Sequence, residues 1–326
     1  MQGDDDSTVT TNEPRRVGAG PHWVTDGGLE TDLIFHRGVD LPHFAAYPLL
    51  DTPEGRSLLT DYYTAYAEVA RRAGAGLLLE TPTWRANPDW IAAVGGPADD
   101  VRRVNVESVV FLAALGESLA AAGVLPTDID DQYGGFRVCG AIGPRGDGYV
   151  PGESTSADEF AAYHSSQVAA FAESGAARVT AYTLTTVSEA VGVVQAARVH
   201  DVDVSVSFTV ETDGRLPDGT PLGEAVASLW DQAAPDGFLV NCAHPSHVAR
   251  ALDDDTWTDR VTGLRVNASR QSHAELDAAE ELDEGDIPEL VREHDVLAGR
   301  LPNVDVVGGC CGTDARHVAA LWGVDA

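Results

Sequence analysis

Apolar and polar positions alternate along the chain on two length scales. Short apolar runs that turn polar or glycine-rich at their ends occupy HWVTDGG (22–28), GLLLETPT (76–83), FRVCGAIGP (136–144) and ARVTAYTLT (177–185). Four more follow: VDVSVSFTVE (202–211), GFLVNCAHP (237–245), GLRVNASR (263–270) and NVDVVGGCCG (303–312). Such runs, closed by turn formers, predict eight strands. Between them, apolar residues recur at helical spacing. Thr52, Pro53 and Glu54 form a cap with proline at the first helical position; Leu59, Tyr62, Tyr66, Val69 and Ala73 then share one face up to Gly74. Ser156 and Glu159 have capping-box spacing, with Phe160, Tyr163 and Phe171 behind them and a stop at Gly175. Residues 98–122, 187–199, 221–232, 246–252, 288–300 and 314–322 also read as helices.

Eight β-then-α units in about 300 residues predict an α/β protein with a single (β/α)8 TIM barrel. Alternation alone does not demonstrate closure, so a doubly wound open sheet is the rival. No internal repeat, linker or second domain interrupts the pattern. Residues 1–20 read as a loose acidic tail and residues 21–326 as the barrel. The N-terminal residues contain no apolar stretch of the kind a signal peptide needs, and the most apolar helix, 106–123, is interrupted by Glu107 and Glu117. Neither secretion nor a membrane partner is expected.

Charge changes the picture more than size does. Of 326 residues, 52 are Asp or Glu and 21 are basic, for a net charge of −31; every basic residue is arginine. At molar salt the Debye length falls to about 3 Å, which screens the self-repulsion of such a surface. The acidity suits a halophilic cytoplasm, and the lack of a basic stripe argues against nucleic acid. Four cysteines, two of them adjacent, suit free thiols in a reducing compartment rather than a secreted framework, so a cytoplasmic location is expected.

In a barrel of this kind the active site lies at the C-terminal strand ends. Those ends carry Asp26, Glu80, Cys139 with Gly143, Tyr182 with Thr183, Glu211, Cys242, Asn267, and Cys310 with Cys311. Consecutive side chains on a regular strand point to opposite faces, but Gly308, Gly309 and Gly312 would let the backbone turn both adjacent sulfurs one way. Three thiolates with an open fourth position fit a catalytic zinc site. A redox-active vicinal disulfide and two ordinary buried thiols are the alternatives. Cys139 reads as a small core residue, and His244 and His247 as surface histidines where a loop enters a helix. P-loop, HExxH and GxSxG patterns are absent, so NTPase, zincin and serine hydrolase readings lack support.

GGCCGT (308–313), NCAHP (241–245) and DGGLETDL (26–33), with AIGPRGDGY (141–149) and LPDGTPLGEA (216–225), resemble the homocysteine S-methyltransferases, zinc-dependent barrel enzymes. The likeness runs from about Trp23 to the C-terminus. It implies that Cys242, Cys310 and Cys311 bind Zn2+, with the sulfur of homocysteine as fourth ligand. A free thiol with a pKa near 8.5 is mostly protonated at neutral pH, and zinc keeps it a nucleophilic thiolate. The methyl donor would be small, of the S-methylmethionine, S-adenosylmethionine or betaine type, and the product methionine. Asp26, Gly27 and Gly28 correspond to the segment that helps bind the amino acid.

The chain also departs from the family. Tyr182 stands where many members place a glutamate for the homocysteine ammonium, and Pro82 replaces an asparagine just after Glu80. Glu80, or secondarily Glu211, is the expected replacement carboxylate. The substrate contacts expected are thus Asp26, Gly27, Gly28, Glu80, Tyr182, Thr183 and Asn241. Trp84, Trp90 and Tyr47 are candidates to frame a cationic donor, and Asn267 and Arg270 to hold a carboxylate. A different thiol acceptor, or a non-enzymatic zinc or redox sensor, are the alternative functions. The oligomeric state is not legible.

Overall fold

The computed structural model describes residues 23–125, 135–150, 152, 155–252 and 256–326; the expected 1–20 tail lies outside them. Eight strands appear where eight were expected: β1 Trp23–Val24, β2 Gly76–Glu80, β3 Phe136–Ile142, β4 Arg178–Leu184, β5 Val204–Phe208, β6 Gly237–Ala243, β7 Gly263–Val266 and β8 Val306–Gly309. All pair in parallel with their sequence neighbours, and β1 pairs with both β2 and β8, which closes the barrel and disposes of the open-sheet rival.

The helix boundaries follow local chemistry. Thr52 Oγ1 accepts from Gly55 N at the start of Pro53–Ala73, and Gly74 ends that helix at φ 62°, where a side chain would be strained. The Ser156–Glu159 capping box opens Ala157–Ser174. Val101–Ala121 is long and apolar enough to cross a membrane by composition, yet its Val104, Val109 and Leu112 face are buried in the fold. Two short helices went unforeseen: Pro88–Ala93, capped by Asn87, and His273–Asp277, opened by a Ser272–Glu275 capping box. Each spans barely two turns or fewer, too little for an apolar period to register.

Strand parity divides the core. Leu77 and Leu79 join the large cluster between sheet and helices, while Leu78 joins an inner cluster with Trp23, Cys139, Ala141, Tyr182, Leu239 and Val306. Cys139 is thus a fully buried core thiol. The inward positions above that cluster are polar, and they floor the barrel mouth.

Candidate active site

Parity breaks at two strand ends. The β6–β7 register shifts between Asn241 and Ala243, and Cys242 sits at φ 53°. The β4–β5 register shifts between Ala181 and Leu184, with Thr183 at φ 60°. A positive φ at a non-glycine residue costs on the order of 1–3 kcal/mol and persists only where the surroundings over-determine it. Here each bulge turns two consecutive side chains toward the mouth: Asn241 with Cys242, and Tyr182 with Thr183.

The Asn241 side chain uses its whole hydrogen-bonding capacity across these bulges. Its Oδ1 accepts from Thr183 N at 2.9 Å and Ser207 Oγ at 2.7 Å. Its Nδ2 donates to Thr183 Oγ1 at 2.9 Å and points at Cys310 Sγ, 3.8 Å away. Cys242, Cys310 and Cys311 then converge, their sulfurs all within 4.8 Å of one another. Cys242 and Cys310 are in disulfide-bonding contact across the mouth, and Cys311 is a free thiol 3.9 Å from Cys242. The short contact therefore joins β6 to the end of β8 rather than the two neighbours, unlike a vicinal disulfide. Of the three glycines expected to bend the chain there, Gly312 alone has a positive φ, 76°. Gly308 serves close approach: a Cβ there would meet Asp26 O at 2.8 Å.

Two groups unforeseen from the sequence cap this cluster. Tyr149 Oη lies 3.4 Å from Cys311 Sγ and 3.8 Å from Cys242 Sγ. Its ring stacks on His273, centroids 4.1 Å apart at 15°. His273 pairs through Nδ1 with Glu211 at 2.9 Å, and its Nε2 lies 2.7 Å from the carbonyl of Cys242. Glu211 is thereby committed to His273. Burial pushes the Cys311 thiol above its ordinary range, with the Tyr149 hydrogen bond pulling the other way.

The opposite wall is ionic. Asp26 Oδ1 accepts from Arg265 Nη2 at 2.6 Å and from Thr25 Oγ1, while Oδ2 accepts from the Tyr62 hydroxyl at 3.0 Å. Burial pushes Asp26 upward and Arg265 pulls against it; the guanidinium, held by this carboxylate, stays charged. Arg265 also donates to Gly27 O and Gly309 O, both at 3.0 Å. Gly27 and Gly28 lie hard against the cysteine loop, since a Cβ on Gly28 would meet Cys310 O at 2.6 Å. Glu80 sits at the end of β2, 3 % exposed, its Oε1 bonded to the Tyr182 hydroxyl at 2.9 Å and 3.9 Å from Arg178. Its Oε2 is buried without a hydrogen-bond partner among the described residues, and burial raises its pKa.

Other expected contacts fall differently. Arg85 fills the space between Trp84 and Trp90, 4.0 and 3.8 Å from their rings, so this protein's own cation occupies the slot foreseen for a donor. Arg270 turns outward to Glu289, at 2.9 Å, and to Glu293. Asn267 is buried, its Oδ1 without a hydrogen-bond partner among the described residues. His244 and His247 are buried, contrary to the surface reading. His244 caps helix Pro245–Ala251 by accepting from Ser246 N, and His247 Nε2 lies 3.0 Å from Arg270 O. Arg265 was unforeseen, although an arginine between Leu264 and Val266 in an apolar strand is itself a signal.

The chain is 26 % identical over 309 residues to the homocysteine S-methyltransferase of Escherichia coli strain K12, covering 91 % of this chain and 93 % of that protein. Solved structures of the E. coli homocysteine methyltransferase MmuM share the fold. The metallated form matches with TM-score 0.71 at 22 % identity, covering 94 % of this chain and 96 % of that one. The oxidized form matches with TM-score 0.71 at 23 % identity, covering 92 % and 94 %. The homocysteine S-methyltransferase family model spans residues 23–323, so this chain belongs to the homocysteine S-methyltransferase family and is a methyltransferase enzyme, a membership that supports methyl transfer to homocysteine.

Proposed function

We propose that the protein is a zinc-dependent S-methyltransferase that moves a methyl group from a small donor of the S-methylmethionine, S-adenosylmethionine or betaine type to the sulfur of homocysteine, giving methionine. The observation that carries this reading is the convergence of three sulfurs at the mouth of a barrel of this family. Cys242, Cys310 and Cys311 would hold the ion, and an all-sulfur set on rigid strand ends suits zinc while leaving a position for one more ligand. When bound, zinc would supply a way to keep an acceptor thiol ionised at neutral pH.

The chain's own residues do the rest by placement. Asn241 fixes the Cys310 sulfur, and Tyr149 donates toward Cys311 and shields the cluster. Asp26 and Arg265 brace the DGG segment against the cysteine loop. The transfer is an in-line displacement: the new sulfur–carbon bond forms as the donor's carbon–sulfonium or carbon–ammonium bond breaks, so orientation matters more than proton transfer. Asp26, Gly27, Gly28, Glu80, Tyr182, Thr183 and Asn241 surround the acceptor in this reading. A cytoplasmic setting belongs to the same reading, and the charge of −31 supports a high-salt one.

The test is a donor screen on zinc-loaded protein at molar salt, following methionine from homocysteine. Stoichiometric zinc that is lost in Cys242→Ser is expected, together with turnover of at least one sulfonium or ammonium donor. A protein that binds no zinc when reduced would overturn the proposal. A different thiol acceptor is the second reading, favoured by the Tyr182–Glu80 bond, which takes one oxygen of the expected replacement carboxylate. Turnover of another thiol in preference to homocysteine would select it.

A further inference from the structure

We infer that His273 is a positioning residue for the methyl transfer: its edge holds the Cys242 carbonyl and its face holds Tyr149, so it sets the sulfurs from two sides. The inference rests on the three-sulfur cluster being the reacting centre, as proposed above.

Each bulge at the mouth has to be held against the cost of its positive φ. At Thr183 the holder is the Asn241 side chain, whose Oδ1 accepts from Thr183 N at 2.9 Å. At Cys242 the carbonyl is taken by two side chains. His273 Nε2 lies 2.7 Å from it, and Thr209 Oγ1 donates to it at 3.2 Å. A carbonyl only accepts, so Nε2 carries a proton there. The backbone turn at Cys242, φ 53°, decides where its sulfur points, so a group that fixes the adjoining peptide also fixes the sulfur.

The rest of the ring is equally committed. Nδ1 lies 2.9 Å from Glu211 Oε1, and one face stacks on Tyr149 with centroids 4.1 Å apart at 15°. Tyr149 Oη in turn lies 3.4 Å from Cys311 Sγ and 3.8 Å from Cys242 Sγ. His273 opens the helix His273–Asp277, whose Ser272–Glu275 capping box fixes its backbone, and it is buried. The ring thus ties the segments that follow β3, β5 and β7 to the bulge of β6. It reaches one sulfur through a peptide and a second through an aromatic ring. Neither route bonds the imidazole to a sulfur, so its action is indirect.

Two substitutions separate the edge from the face. His273→Gln keeps a donor for the Cys242 carbonyl and removes the ring; His273→Phe keeps a ring for Tyr149 and removes both nitrogens. The edge is read as zinc affinity and as the absorption of cobalt-substituted protein, which follows ligand geometry. The face is read in the reduced, metal-free full chain as the rate at which iodoacetamide alkylates Cys311, located by mass spectrometry. Loss of a group that orients a metal ligand costs about 10- to 100-fold in metal affinity. Loss of one aromatic pair corresponds to about 2- to 10-fold in the population that exposes the thiol. His273→Phe is expected to lose zinc affinity by the first factor, shift the cobalt spectrum and leave alkylation unchanged. His273→Gln is expected to speed alkylation by the second factor and keep most of the zinc affinity. Methyl transfer per bound zinc should fall in both. Unfolding midpoints verify that the variants are folded, and Glu211→Gln, which loosens the ring from its outer side, should move both readouts in the same directions by less. Readouts that stay at wild-type values, or that move together in both His273 variants, overturn the inference and leave the zinc proposal standing. Reduced wild type that binds no zinc overturns both.

Discussion

The two walls of the barrel mouth are built on opposite principles. On the β6–β8 side, Cys242, Cys310 and Cys311 present soft sulfur with few partners, and the chain accepts a positive φ at Cys242 to bring them together. On the β1–β2–β4–β7 side, Asp26, Arg265, Tyr182, Glu80 and Arg178 are charged or polar and bound largely to one another. In the proposed reading the first wall, once reduced, takes an exchangeable ligand, while the second is bound mainly to itself. A functional set leaves valence unspent, whereas a structural network spends it.

Cys310→Ala should produce the largest effect and test the first half of that contrast. Altering a group that merely orients a metal ligand costs about 10- to 100-fold. Loss of a ligand itself should exceed this in methyl transfer and lower zinc content, while the unfolding midpoint moves little in metal-free protein. Undiminished zinc in this variant would remove the sulfur wall from the site.

Next comes the ionic wall. Arg265→Met leaves Asp26 buried without its partner, which should cost about 3–5 kcal/mol of stability by denaturant unfolding. Pairing it with Asp26→Leu should recover much of that loss, because the uncompensated charge goes too. A single-variant loss below about 1 kcal/mol would show that the wall is not an interdependent network.

A smaller effect is expected away from both walls, at His294. Its ring is 1 % exposed, neither nitrogen has a hydrogen-bond partner among the described residues, and burial lowers its pKa to about 4. Between pH 6.5 and 4 the unfolded chain binds a proton that the fold does not, so stability rises with pH across that window and is lost on acidification. The pKa difference is worth on the order of 3 kcal/mol. His294→Leu should therefore flatten the acid limb of the stability–pH curve, and an unchanged slope would place the acid-sensitive group elsewhere. Tyr149→Phe should be mildest. Losing one hydroxyl beside the sulfurs is worth about 0.5–1.5 kcal/mol, seen as zinc affinity lower by about 2- to 10-fold.

Much of the frame was legible beforehand because it depends on short-range rules. The Thr52 cap, the Gly74 stop and the capping box of Ser156 with Glu159 act within a few residues, and all three operate in the fold. Strand count followed from apolar runs that each bury themselves. The short helices Pro88–Ala93 and His273–Asp277 escaped because their caps, Asn87 and Ser272, are single polar residues in stretches with no period.

What the linear chain determined by itself is the barrel's element order, the acidic surface and the supply of three sulfurs near strand ends. Those follow from local propensity and composition. Tertiary structure decided which groups are free to act. Asp26 meets Arg265 across 239 positions and Tyr182 meets Glu80 across 102, while Tyr149 reaches Cys311 across 162. Such partnerships depend on barrel closure and on bulges that reverse strand parity, and neither has a signature within the few residues that local rules can sense.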